Sequence, residues 1–186
     1  DLKKTGLDEH GDIVMVRYNA SGARVMGLNL EGKMAYSWMQ IQAGATLQRS
    51  RYKEAMQWSD DVTPQKKMYR TPDLYGYLTS TFTPVKRLSL ALTGTYTGSM
   101  LVQHNLREGY NIPDKDVTTP DFFDLNLKVG YDIPLFKTVT LQVNAGVKNI
   151  FNAYQDDFDQ GENRDAGYIY GPGMPRSYFV GCKISY

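Results

Sequence analysis

One cysteine in 186 residues excludes an internal disulfide and any thiolate metal cluster. Cys182 lies inside an apolar alternation, where a free thiol serves as a small hydrophobe. Histidine is nearly as scarce. His10 and His104 are the two, without H-x-x-x-H metal spacing and without a G-x-S-x-G elbow, so the convergent groups that catalysis needs are missing. Both histidines read as solvated loop residues. The sequence predicts no enzyme and no cofactor. An excess of either charge is lacking too: 21 Lys and Arg face 20 Asp and Glu, which leaves no overall field to gather nucleic acid. No apolar run approaches the roughly 18 residues of a transmembrane helix, and mean hydropathy is -0.46. That leaves a membrane barrel open, because a barrel strand meets lipid only at every second residue. The opening DLKKTG has neither an initiator Met nor a secretory signal, and the chain is expected to be a piece of a longer polypeptide.

Period two runs through nearly the whole chain. Leu28, Leu30, Met34 and Tyr36 alternate with Asn29, Glu31 and Lys33, and Ile41, Ala43, Ala45 and Leu47 with Gln42, Thr46 and Gln48. Leu88, Leu90 and Leu92 alternate with Ser89, Ala91 and Thr93. Further on, Leu125, Leu127, Val129, Tyr131 and Ile133 oppose Asn126, Lys128 and Asp132, and Val139, Leu141, Val143, Ala145 and Val147 oppose Thr140, Gln142 and Asn144. The chain ends on the same pattern, with Tyr178, Val180, Cys182, Ile184 and Tyr186 facing away from Phe179, Gly181, Lys183 and Ser185. Adding IVMVRYNA and LYGYLTSTF, whose facing is ambiguous, gives about eight strands in an all-β antiparallel up-and-down meander.

Tight turns near SWM, TPVKR and IPLFK alternate with long polar loops at residues 51–70, 101–120 and 152–175; only the hairpin at NASGA is short where a long loop is due. Short turns at one end and long loops at the other are how outer-membrane barrels are threaded. Alternation alone fits a soluble lipid-binding barrel equally well. Three features favour lipid. The polar face is rich in Gln, Asn, Thr, Ser and Gly, which suits a wet lumen. Aromatics gather at strand ends, with Tyr36 and Trp38 at a turn and Tyr52, Trp58, Tyr69, Tyr96, Phe151, Tyr154 and Tyr178 toward the loops, as in interfacial girdles. None of the apolar faces carries a charge, which at mid-depth would cost about 2–4 kcal/mol.

The stretch GVKNIFNAYQDDFDQGENRDAGYIYGPGMPRSYFVGCKISY resembles the C-terminal end of TonB-dependent outer-membrane receptors. The resemblance rests on Asn149, Ile150, Phe151 and Asn152 closing one strand, Tyr168 to Pro172, then Pro175 and Arg176 opening the last strand, and a terminal aromatic. It implies that residues 1–186 are the C-terminal portion of a 22-stranded transmembrane β-barrel, without the plug and the N-terminal strands. It implies a receptor of the bacterial outer membrane, with loops extracellular and C-terminus periplasmic, that binds a scarce nutrient and takes it up actively. Its partners would be outer-membrane lipid, the remainder of the same receptor, TonB and the barrel-assembly machinery. Gly181, Ile184 and Tyr186 match the assembly signal of the last strand. A self-contained eight-stranded barrel, either structural in a membrane or a soluble lipid-binding module, is the alternative.

Arg164, Tyr168 and Tyr170 are candidate ligand contacts at the mouth, with the two tyrosines equally readable as belt or packing residues. Asp157, Asp159 and Asn163 around Gly161 loosely resemble a calcium loop, but the 12-residue pattern with its closing Glu is not met, and a solvated acidic loop is the expectation.

Overall fold

Alternating apolar and polar residues, rich in Val, Leu, Tyr and Thr, favour extended backbone, and nothing in the sequence offers a helical stripe to compete with it. The computed structural model describes residues 2–18, 21–105, 113–162 and 164–186, and its elements are all strands. They are β1 (Leu2–Leu7), β2 (Ile13–Tyr18), β3 (Ala23–Tyr36), β4 (Met39–Met56), β5 (Gln65–Lys67), β6 (Leu74–Val85), β7 (Leu88–Thr97), β8 (Leu101–His104), β9 (Lys115–Thr118), β10 (Phe122–Pro134), β11 (Thr140–Lys148) and β12 (Ser177–Ser185).

One antiparallel sheet dominates. Its order is β12-β11-β10-β7-β6-β4-β3, with β5 on the side of β4, and β1-β2 and β8-β9 form separate hairpins. The main path is the expected meander. At 14, 18 and 13 residues, β3, β4 and β10 exceed the roughly 9–11 that a tilted strand needs to cross hydrocarbon. Among the described residues β3 pairs only with β4 and β12 only with β11, so the sheet is open at both edges.

Register carries the argument about faces. Leu28 pairs with Leu47, Leu30 with Ala45 and Met34 with Ile41; Leu47 pairs onward with Leu74 and Ala43 with Leu78. The line continues through Phe82 and Leu90, Leu90 and Val129, Val129 and Ala145, and Ala145 and Val180. Each of these seven strands turns its apolar side the same way. Because a slip of one residue would reverse a strand's face, the shared phase settles the facing of β6: Leu74, Gly76, Leu78 and Phe82 join the apolar side, while Tyr75, Tyr77, Thr79 and Thr81 join the polar one.

That apolar side is bare. Leu30 is 62% exposed and Val180 81%, whereas the buried hydrophobic residues (Val62, Tyr69, Met100, Leu101, Val102, Phe122 and Tyr168) all lie toward the long loops. Among the described residues no second layer covers the leucines, as a sandwich or a filled soluble barrel would require. Ser80 is a polar residue set among the hydrophobic ones on this side. It is buried, and its hydroxyl donates to the Leu92 carbonyl at 3.3 Å.

Aromatics mark both borders. Tyr36 and Trp38 stack at the turn end, centroids 6.4 Å apart, and Phe123 and Phe151 stack at the loop end at 5.6 Å.

The structure departs from expectation at its start and in its loops. β2 pairs with β1 instead of forming a hairpin with β3, and the NASGA turn falls partly on residues 19–20, outside the described residues. β1, LKKTGL, lacks the alternation that would have announced it. The first two long loops are not plain loops: β4 runs on to Met56, and β5, β8 and β9 are short strands within them.

Candidate functional site at the loop end

Three connections converge at the loop end of the sheet through their described residues: 57–73, 98–105 with 113–121, and 149–162 with 164–176. Each is too polar to bury itself alone, and together they form a small folded body. Met100, Val102 and Tyr168 are its centre, with Val117 and Tyr170 against them; Val102 is 0% exposed.

Polar contacts lock the connections to one another. Asp116 on β9 accepts from the Trp58 indole at 2.8 Å and from the Tyr69 hydroxyl at 3.1 Å. Burial first, and the Asp116 carboxylate second, push the Tyr69 phenol well above its usual range. Arg70, in the left-handed region at φ 53, sends its guanidinium to the carbonyls of Gly167 and Ile169. Its backbone N–H donates to the Leu101 carbonyl at 2.7 Å.

His104 was expected to be solvated and without a helper, and it is neither. It is 6% exposed, its Nε2 lies 2.8 Å from Asp159 Oδ2, and its ring stacks on Tyr168 with centroids 3.8 Å apart and planes 8° from parallel. Desolvation raises the Asp159 carboxyl, but His104 and the Asp165 backbone N–H outweigh it and hold the group below the carboxylate range. The Nδ1 atom of His104 has no hydrogen-bond partner among the described residues.

The acidic loop is largely exposed, as expected of a solvated one, yet its carboxylates are held by specific donors. Asp157 accepts from the Tyr168 hydroxyl at 2.9 Å and the Tyr170 hydroxyl at 2.7 Å. Desolvation opposes ionisation of Asp157, and the donors win, leaving its carboxyl below the ordinary value. Tyr168 is pushed up to about 12, by burial first and then by Asp157. Asp157 and Asp159 thus address different partners, and no group of three or more metal-ligating side chains is found among the described residues; Asn163 lies outside them.

The base of the loop is tied by the residues that stood out in the sequence. Asn149, buried and at φ 51, donates through Nδ2 to the carbonyls of Ala153 (3.1 Å) and Met174 (3.0 Å) and accepts from Ala153 N–H at 2.9 Å. Asn152 Oδ1 accepts from Arg176 N–H at 2.9 Å, and the Arg176 guanidinium donates to the Ile150 carbonyl at 3.3 Å. Buried Gln155 bridges the arms, donating to the Tyr168 carbonyl at 3.0 Å and accepting from Tyr170 N–H at 2.9 Å.

Of the candidate contacts, Arg164 is exposed and, among the described residues, bonds to the Gly161 carbonyl of its own loop, at 3.4 Å. Tyr170 is half-buried against Phe122. Tyr168 is 3% exposed, at the centre of the packing. Below this body, the polar side of the sheet is hydrogen-bonded across strands. Gln42 Nε2 donates to Glu31 at 2.7 Å and to the Tyr77 hydroxyl at 3.0 Å. Thr46 donates to Asn29, and Gln142 to Asp132.

Sequence reasoning missed Asp116 and Gln155, and it took Trp58 and Tyr69 for girdle aromatics where the structure ties both to Asp116 inside the loop body. Partners separated by 58, 47 and 55 residues, as in Trp58–Asp116, Tyr69–Asp116 and His104–Asp159, leave no local spacing to read.

Comparison with known proteins agrees with this geometry. The model of the family described as TonB dependent receptor-like, beta-barrel matches residues 5–150. Among solved structures, the chain is similar to the ferric-catecholate import receptor Fiu from K12 E. coli in its closed form, with a TM-score of 0.58 and 22% sequence identity. That match covers 98% of this chain and 23% of the other, so the chain spans about a quarter of its neighbour's length, and at this identity the likeness is one of fold. Comparison with curated proteins gives no match.

Proposed function

The chain belongs to the TonB-dependent receptor β-barrel family, a family of outer-membrane receptors, and from that premise we propose that it supplies part of the wall and mouth of a receptor that binds a scarce nutrient and takes it up actively. In this reading residues 1–186 are the C-terminal segment of the barrel domain. The exposed apolar side meets acyl chains, the hydrogen-bonded polar side borders the lumen, the loop body faces the cell exterior, and the C-terminus is periplasmic. The single observation that carries the proposal is the common phase of the faces across seven strands, from Leu28 through to Val180, with a folded loop body at one end only.

Ligand would be gripped at the loop body, where Arg164 offers an exposed guanidinium to an anionic group and Tyr170 an aromatic edge; Tyr168 would meet ligand only if the body opened. Closure over ligand shifts the loops and the plug, and a pull from TonB opens the path. Gly181, Ile184 and Tyr186 on the last strand would be read by the assembly machinery. Transport is tested by a binding survey of the full-length receptor against ferric chelates, haem, cobalamin, glycans and peptides, followed by uptake of the hit with and without TonB. Uptake that persists unchanged without TonB would overturn the proposal.

A further inference from the structure

The outward side of the sheet changes chemistry abruptly at its loop end. Leu28 pairs with Leu47, and one outward step further Met26 pairs with Arg49, then Arg24 with Arg51. Arg51 in turn pairs with Lys67 of β5, and Lys53, whose N–H donates to the Gly22 carbonyl at 3.1 Å, extends the series. The register between β3 and β4 runs unbroken from Tyr36 to Ala23, so Arg24, Arg49, Arg51 and Lys53 point the same way as the apolar residues below them. Asp73 answers two of these charges, at 3.5 Å to Arg51 and 3.4 Å to Lys67. Arg24, Arg49 and Lys53 have no ion pair among the described residues. In a chain with a net charge of only +1, this is a local concentration of cations on the face turned away from the lumen.

Beside it lies a second feature on the same side. An apolar cavity of about 270 Å³ is lined by Ala45, Leu74, Gly76, Gly94, Tyr96 and Phe123, among others. Gly76 and Gly94 deny it a floor of side chains, and Tyr96 and Phe123 wall its loop end. Ala45 is four residues below Arg49 on β4, about 13 Å along the strand. Cations above an apolar slot, at the border where headgroups meet acyl chains, are complementary to a molecule with phosphate at one end and hydrocarbon at the other.

We propose that this outward patch is a specific binding site for a phosphate-bearing lipid of the loop-side leaflet: Arg24, Arg49, Arg51, Lys53 and Lys67 take the phosphates, and the cavity takes part of one acyl chain. The proposal rests on the reading that the apolar side faces lipid. It assigns these cations to the membrane and not to the transported nutrient.

The test uses the full-length receptor in detergent, followed by native mass spectrometry during titration with bisphosphorylated lipid A, with phosphatidylethanolamine and with inorganic phosphate. The variant Arg24→Gln/Arg49→Gln/Lys53→Gln spares both ion pairs to Asp73. It should weaken lipid A binding on the order of 100-fold, taking about 1 kcal/mol per basic residue, and leave phosphatidylethanolamine unchanged. Lys86→Gln/Lys137→Gln, at the opposite turns, should bind lipid A as the native chain does, and Ala45→Leu should weaken lipid A by filling the slot. Undiminished lipid A binding by the triple variant overturns the site, and full competition by inorganic phosphate overturns the lipid in favour of a free anion. A native receptor that stays monodisperse without detergent would defeat the membrane reading itself, an outcome separate from any loss of lipid selectivity.

Discussion

His104 and Tyr168 lie face to face, ring centroids 3.8 Å apart, with Asp159 on the imidazole and Asp157 on the phenol. This pair, 64 positions apart in the chain, joins the β8-β9 hairpin to the loop before β12 and makes one body of them. Its carboxylates give it a pH window. Asp157 and Asp159 have folded-state values depressed below 3.8, so their contribution is present above that value and is lost as pH falls through the depressed values. Tyr168 is raised from 10.0 to about 12, so its contribution is complete below 10 and is lost as pH rises toward 12. Relative to the intrinsic exchange rate at each pH, amide protection of residues 100–104, 153–162 and 164–172 should therefore be highest across the neutral range and fall at both extremes, while the barrel strands stay protected. Asp159→Asn should loosen the same amides at neutral pH by about 1–3 kcal/mol.

Asn149 should be the costliest polar residue at the loop base. Asn149→Ala forfeits three hydrogen bonds and places an alanine at φ 51, an expected loss of about 2–4 kcal/mol. Asn149→Gly relieves the backbone but not the bonds, so it should fall between the two. Exchange of the Ala153 amide reports the order.

That site also marks how far the sequence could be read. The Asn149 to Asn152 segment and the Pro175-Arg176 pair were visible as motifs, and the structure brings them together as one tie between Asn152 and Arg176. Strand facing was legible because a two-residue period is local. Within the main sheet only β6 stayed ambiguous, since Tyr75 and Tyr77 look as apolar as Leu74 and Leu78 until register is known. The loop body was not legible. Whether a tyrosine such as Tyr168 is a contact or a core residue depends on which distant segment covers it, and polar loops that pack on one another carry no periodicity. β8 and β9 are held by Met100, Tyr168 and Val117, not by any pattern of their own.

Close strand approach makes Gly146 intolerant. A Cβ there would sit 2.4 Å from the Leu127 carbonyl oxygen and 2.5 Å from the Phe179 ring, and backbone cannot yield as a side-chain tip does. Gly146→Ala should cost about 3 kcal/mol and reduce the folded, heat-modifiable fraction on gels of the full-length receptor. Gly32→Ala, whose Cβ would meet nothing within 4 Å, should leave that fraction unchanged.

Tyr186 is fully exposed, and Ile184 lies on the same side of β12. Since no packing depends on its ring, Tyr186→Ala should refold in detergent with unchanged melting temperature yet reach the outer membrane at a several-fold lower level. A drop in melting temperature would assign the ring a structural role instead of a sorting one.

The orientation of the sheet is tested most directly by nitroxide labels placed singly along β10 in the full-length receptor, in a bilayer, on a Cys182→Ser background. Labels at Leu125, Leu127, Val129 and Tyr131 should collide preferentially with dissolved oxygen, and those at Asn126, Lys128 and Asp132 with a water-soluble nickel chelate. The opposite phase, or no alternation at all, would contradict a sheet whose leucines face lipid and whose glutamines and asparagines face water.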